Sequence, residues 1–411
     1  MKNNYKRVKL GCYATNVAMS VVANLSPVLF LTFHNLYDVS FTLLGTLVLI
    51  NFVTQLSIDL IFSFFSHKFN IPLAVKLTPI LAMVGLVLYA LAPVMFPTLP
   101  YIGLVLGTVV FAASGGFSEV LISPVIAAIP SDNPEREMSK LHSIYAWGVV
   151  GMIVVSTVFI KIFGERHWQW LAIFFALIPL VAACLFFGAK LPYLETPERV
   201  SGAAKMLKNK SLWLCIVAIF LGGAAECTMA QWCSGYIEGA LNVPKLWGDL
   251  FGVALFSVML GIGRSMYAKR GKHIERVLLI GAIGSTLCYL IAAISPIPLI
   301  GLLACAITGL CVSMMWPGSL VVASGKFPTA GVFLYAMMAA GGDLGASVGP
   351  QLVGVISDLV PTAEFFSNLS VKLGITPEQL GMRIAILVSM LFSVIAIFIF
   401  YKIYKNRKKE N

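Results

Sequence analysis

Apolar residues in this chain run together in blocks of about 20 or more, separated by short polar stretches. Each block is long enough to cross roughly 30 Å of hydrocarbon as a helix rising 1.5 Å per residue. Twelve blocks are predicted to span a bilayer, at approximately 10–34, 41–65, 74–95, 101–129, 140–164, 168–189, 211–237, 246–268, 275–295, 298–324, 329–358 and 379–402. The first follows a polar, basic N-terminus, exceeds the length of a signal core and has no small-residue cleavage site behind it, so it is expected to remain in the mature chain. The stretch from Asp358 to Gly381 reads as an ordered outer loop, with a helix starting after Pro377 and running into the last span.

Composition agrees with that pattern. Of 411 residues, 59% are hydrophobic and only 11% charged, too few to wrap a body of this size in a polar surface. The fold class is therefore all-α and integral to a membrane. The net charge of +11 is distributed in alternate loops. Lys6, Arg7 and Lys9 precede the first span, and Lys68, Lys76, Arg136, Lys140, Lys190 to Lys210, Lys269 to Arg276 and Lys402 to Lys409 all fall on the same side of a twelve-span protein. By the positive-inside rule both termini and these loops are cytoplasmic, in contact with anionic membrane lipid, and nucleic acid is excluded as a partner. Trp168, Trp170, Trp213 and Trp247 lie near span ends, where an interfacial belt accounts for them. The eight cysteines fall inside predicted spans without metal-ligand spacing and read as small apolar residues. No zinc site, nucleophile with its base or phosphate loop is legible; no cofactor, metal or enzymatic activity is expected, and uphill movement of a solute would draw on an ion gradient.

Three acids break the apolar blocks: Glu119, Glu226 and Asp343. A charged side chain at the centre of a membrane helix costs about 2.5–3.5 kcal/mol on insertion scales, so such residues usually face a cavity and serve a substrate or a proton. The chain divides into an N-terminal six-helix bundle (1–189), a basic cytoplasmic linker (190–210) and a C-terminal six-helix bundle (211–411). Traces of duplication support the division. Gly116 and Pro124 in the fourth span are spaced as Gly309 and Pro317 are in the tenth, and the glycines around Trp147 in the fifth answer those around Asp343 in the eleventh. These pairs lie six helices apart, as a parallel 6+6 repeat requires.

Five motifs in order narrow the reading. They are GGFSEVLISP in the fourth span, LHSIYAWG in the fifth, GGAAECTMAQW in the seventh, GLCVSMMWP in the tenth and GGDLGASVGPQLVGVISD in the eleventh. Together they resemble the major facilitator superfamily and, within it, the fucose-permease-like branch of sugar:proton symporters. The resemblance spans nearly the whole chain. It implies a pseudo-symmetric fold of twelve transmembrane helices, no enzyme activity, and a monomer of the cytoplasmic membrane that moves a small polar solute, a monosaccharide favoured, with a proton.

It implies residues as well. Glu119 is the leading proton acid, followed by Glu226, with Asp343 as a third candidate. Candidate substrate residues are Asn24, Gln55 and Gln231, whose amides can serve hydroxyls, and Trp147, Trp232 and Trp316, whose indole faces suit a sugar ring. Ser123, His142, Tyr145 and Ser313, within the motifs, complete the set together with Glu119 and Glu226. Two departures stand out. Pro27 occupies the region where the branch often carries an acid in its first helix, and the superfamily's loop motif is eroded to SFFSHKFN and SMYAKRGK, with His67 in place of the usual Asp. Asp59 and Arg264 are candidate substitute latches that would gate the cycle. Alternatives are an exporter of amphipathic solutes, an uncoupled sugar facilitator and a non-transporting membrane sensor.

Overall fold

The computed structural model describes residues 5–65, 68–130, 134–192, 208–270, 273–327 and 331–410. His67 and most of the expected linker, 193–207, fall outside them. The described chain is helical, with no strand among those residues. Its helices are α1 (Lys6–Val28), α2 (Phe30–Tyr37), α3 (Phe41–Phe65), α4 (Ile71–Met95), α5 (Pro100–Ala128), α6 (Pro134–Phe163) and α7 (Trp168–Phe186), followed by α8 (Lys210–Gly239) and α9 (Lys245–Gly248). A π-helical turn over Asp249–Ala254 leads into α10 (Leu255–Arg270). The chain continues through α11 (Ile274–Ile294), α12 (Pro298–Val312), α13 (Met315–Lys326), α14 (Gly331–Thr362), α15 (Glu364–Leu373) and α16 (Pro377–Glu410).

Each of the twelve expected spans falls largely on helix among the described residues, the first and the tenth on two helices each. Among the described residues nine helices are long and apolar enough to cross a membrane, or ten if the bent pair α1–α2 counts as one span. The bend is 48° and has a local cause: Pro27 has no N–H to give the carbonyl of Ala23, and the helix is interrupted at Leu29, whose N–H is shared between the carbonyls of Leu25 and Ser26. α6 carries a shorter apolar stretch, Trp147–Phe163. The expected outer loop after Asp358 is itself helical, since α14 runs on to Thr362 and α15 fills the interval before Pro377.

The chain forms two compact units. One comprises Met1–Leu29 and Ile50–Ser201, the other Phe30–Leu49 and Gly202–Asn411. Residues 30–49 fall in the second unit, whereas the sequence division places them in the first.

In the first unit α4 and α5 approach backbone to backbone. A Cβ on Gly85 would lie 2.4 Å from the amide nitrogen of Phe111, and one on Gly107 would lie 2.5 Å from the Cα of Tyr89. Without water to drive association, such small-residue contacts let membrane helices gain packing energy. Tyr89 is fully buried, shares a 2.7 Å hydrogen bond with Ser26 and meets the ring of Trp168 edge-on at 5.7 Å. Trp168 is wholly buried in this core, which corrects its reading as an interfacial residue; Trp170, Trp213 and Trp247 are half or more exposed. In the second unit α8 packs on α14 through Gly345, whose missing side chain admits the carbonyl of Phe220. Tyr289 on α11 donates to the carbonyl of Ala225, and Ser285 donates to Ser393 on α16.

Candidate functional site

The first unit brings two acids together. On α5, Gly115 and Gly116 lie against α3: a Cβ on Gly115 would stand 3.0 Å from the amide carbon of Gln55, and one on Gly116 2.8 Å from Ile58. One turn further along each helix this close approach sets Asp59 beside Glu119, with carboxylate oxygens within 4.8 Å of each other. Asp59 and Gln55 are buried, and no lysine or arginine pairs with either acid among the described residues. One oxygen of Asp59 is buried without a hydrogen-bond partner among them.

Glu119, by contrast, is exposed, and its place on the helix says to what. The exposed apolar stripe of α5 runs through Ile102, Leu106 and Val109, as expected of a lipid face. At about 100° per residue Glu119 points roughly 80–140° away from that stripe. It shares its angular sector with Thr108, Ala112 and Ile126, all buried. Its exposure is therefore a local opening in an otherwise packed face. Ser123, one turn on, is half-buried. Asn24 spends its amide N–H on the carbonyl of Ser20 in its own helix. Trp147 is 70% exposed, Tyr145 is half-buried, and the side chain of His142 falls outside the described residues.

The second unit treats its acids differently. Glu226, on α8, accepts a 2.9 Å bond from the guanidinium of Arg264, and the Nε–H of that guanidinium donates at 3.1 Å to the carbonyl of Ser313. The sequence explains why this carbonyl is available: Pro317, four residues on, has no N–H to give it, and the helix breaks there into α12 and α13. Arg264 thus joins three elements, and Ser313 serves through its backbone while its hydroxyl donates to Leu310. Trp316 is half-buried, with its ring laid over Gly342 and Gly223. Asp343 is buried beside Gly342; Gly341, Gly345 and Gly349 form an i, i+4, i+8 face of α14 against α8, from which Asp343 is turned by roughly 120–160°. Gln231 is buried, and its carbonyl oxygen, together with the hydroxyl of Thr228 and the carbonyl oxygen of Gln351, lacks a partner among the described residues. Trp232 is packed away: it is 1% exposed, meets the tilted ring of Phe30 at 5.0 Å and Phe41 edge-on at 6.1 Å, and donates its indole N–H to the carbonyl of Pro350 at 2.9 Å.

Two features escape the sequence reading. Asp358 accepts bonds from the amides of Phe41 (3.1 Å) and Thr42 (2.6 Å), capping the first turn of α3 with a carboxylate from α14. The signal was present, because Asp358 closes the motif GGDLGASVGPQLVGVISD. The other is a buried ionic cluster in which Lys245 lies 3.5 Å from Asp249 and 3.7 Å from Glu238, while Ser234 donates to Asp249 at the start of the π-helical turn. Its members lie near the ends of two apolar blocks and read from sequence as ordinary flanking charges.

The family model of the Major Facilitator Superfamily matches residues 11–350. No curated protein sequence matches the chain. Solved structures do. The nucleoside transporter NupG aligns with a TM-score of 0.72 at 13% identity, covering 98% of this chain and 99% of its own. The inward open xylose transporter XylE from E. coli aligns with a TM-score of 0.70 at 13% identity, covering 94% and 95%. FucP, a Major Facilitator Superfamily transporter in the outward conformation, aligns with a TM-score of 0.59 at 14% identity, covering 96% and 99%. At such identities the likeness is one of fold.

Proposed function

The chain belongs to the major facilitator superfamily of membrane transporters, and from that premise we propose that it carries a small polar solute, a monosaccharide first among candidates, together with a proton. The proposed cycle is alternating access, in which six-helix bundles at 1–189 and 211–411, joined by the linker 190–210, rock about a central site. The protein acts as a monomer in the cytoplasmic membrane, with both termini inside.

The observation that carries this reading is the pair Asp59 and Glu119. Two carboxylates this close repel unless one holds a proton or a cation lies between them. Glu119 is open to a proton; Asp59, buried beside it, is placed to share one. Asp59 thus takes the part for which the resemblance offers no acid in the first helix. Glu226 is a weaker proton candidate, because Arg264 already neutralises it. The unpartnered oxygens of Gln231, Thr228 and Gln351 supply acceptors for a solute with several hydroxyls, a feature common to the sugars and nucleosides carried by the transporters of similar fold. A second reading follows from the same pair, since two carboxylate oxygens also suit sodium.

Uptake into proteoliposomes, measured for a panel of sugars and nucleosides under a proton or a sodium gradient, tests both. Accumulation under a proton gradient alone supports the proposal, and accumulation under sodium alone selects the second reading. Glu119→Gln should abolish gradient-driven accumulation while leaving solute exchange measurable; unimpaired accumulation in that variant sinks the assignment of the pair. No flux of any solute under either gradient would favour a sensor.

A further inference from the structure

An open crevice of about 290 Å³ lies between α8 and α16, away from every acid discussed above. Lys210, Ser211, Lys402 and Asn406 form its polar end, and no acidic residue lines it among the described residues. Leu214, Val217 and Ile399 form its apolar side.

The arrangement follows from helical spacing. Lys210, Trp213, Leu214 and Val217 stand at i, i+3, i+4 and i+7 of α8, and Ile399, Lys402 and Asn406 at i, i+3 and i+7 of α16, so each helix presents one stripe to the crevice. Both stripes run from cations to hydrocarbon. From Lys210 to Val217 the descent is roughly 10 Å at 1.5 Å per residue, about the distance from a headgroup into the acyl region. Beyond the crevice the α16 stripe continues through Phe398, 68% exposed, and Ile395, 47% exposed, as expected of a face turned to lipid. Trp213, 51% exposed, stands at the mouth, where an indole marks a membrane–water interface.

We propose that this crevice is a binding site for an anionic phospholipid, with the phosphodiester held between Lys210 and Lys402 and an acyl chain laid along Val217 and Ile399. Charge and length select this occupant. Two lysines with no carboxylate beside them among the described residues call for an anion, and an apolar side continuous with the lipid-facing stripe calls for one that carries its own hydrocarbon. At ~30 Å³ per water the volume holds about ten non-hydrogen atoms, the size of a phosphoglycerol group. A lipid there bridges the first and last long helices of the second unit.

The test uses the full chain, delipidated in detergent and titrated with phosphatidylglycerol or with phosphatidylcholine of the same acyl chains, bound lipid being read by native mass spectrometry. The wild type should hold one phosphatidylglycerol in clear preference to phosphatidylcholine. Lys210→Gln with Lys402→Gln should weaken that binding about thirty-fold and erase the preference, and each single variant should lie between. A control pair outside the crevice, Lys68→Gln with Lys76→Gln, should bind as the wild type does. Inorganic phosphate and glycerol phosphate should fail to displace the lipid. Equal binding by the crevice variants, equal loss in the control pair, or displacement by free phosphate would each overturn the proposal. Should the double variant not fold, brominated phosphatidylglycerol should quench wild-type fluorescence more than brominated phosphatidylcholine does, with the excess lost in Trp213→Phe; an unchanged excess there counts against the site.

Discussion

Replacing Arg264 with Met removes the cation from a mid-membrane acid and the donor from a proline-freed carbonyl in one step. Glu226 keeps only 13% of its side-chain exposure and Arg264 keeps 45%. Unit charges about 4 Å apart interact by about 4 kcal/mol at an effective dielectric constant of 20, and the half-exposed guanidinium reduces this by about half. Loss of the 3.1 Å bond to the Ser313 carbonyl adds about 1 kcal/mol. Arg264→Met is thus expected to cost about 2–3 kcal/mol, which for a unit of this size lowers Tm by roughly 5–10 °C. Glu226→Gln should cost less, about 1 kcal/mol, because the guanidinium it strands is already half in solvent. The double variant should recover about 1.5 kcal/mol relative to the sum of the singles. The assay is a double-mutant cycle by thermal unfolding of all four proteins in nanodiscs of one lipid composition. A coupling energy within about 0.5 kcal/mol of zero would refute the view that Arg264 neutralises Glu226. On the proposed function a second signature follows: in Arg264→Met the uncovered Glu226 needs a proton of its own, so the pH dependence of uptake should become steeper than in the wild type.

Other perturbations read separate contacts. Asp358→Ala removes the cap from the first turn of α3, at about 1–2 kcal/mol; amide exchange at Phe41 and Thr42 should accelerate about tenfold or more, and unchanged protection would show the cap to be inert. Gly107→Val places a side chain where the backbone of Tyr89 lies, and the α4–α5 pair has no flexible atom to give way; folded yield should fall severely, whereas Gly151→Ala, which meets nothing within 4 Å, should be silent. Trp232→Phe keeps the aromatic contact with Phe30 but loses the bond to the Pro350 carbonyl, a loss of about 1 kcal/mol. If Trp232 met the solute through its indole face, that variant would alter apparent substrate affinity more than stability.

The spans were legible because lipid as solvent demands long apolar blocks, and neither turn chemistry nor periodicity had to be resolved to see them. Breaks were partly legible: Pro27 and Pro317 both stand where a helix is interrupted, while Pro124 lies inside an unbroken α5 and gives no such break. Sequence could not show on which side of a helix end a residue lies, so Trp168 read as interfacial although it packs on Tyr89 in the core of the first unit. Glu119 and Glu226 were visible as charges out of place, but their partners were not. Asp59 reaches Glu119 where two glycines let α3 close on α5, and Arg264 reaches Glu226 from a helix that follows a π-helical turn. In both cases the acid announces itself by its cost in hydrocarbon, whereas the partner is fixed by packing distances that composition does not encode.

That contrast bears on how a carrier with two similar halves divides its labour. An acid in hydrocarbon must be neutralised by a fixed cation, a mobile one or a proton. The second unit holds Glu226 with a fixed cation, a choice that makes the acid permanent structure and ties α8 to α10 and to the α12–α13 break. The first unit offers its pair no fixed cation among the described residues, and on the proposed function the neutralising charge there comes and goes. Of the two, the arrangement in the first unit is the one that can couple the state of a site to an ion gradient, because there neutralisation depends on what the solution supplies. On the proposed function the pair Asp59–Glu119 is where coupling would reside, and the Arg264 bridge would keep Glu226 from competing with it.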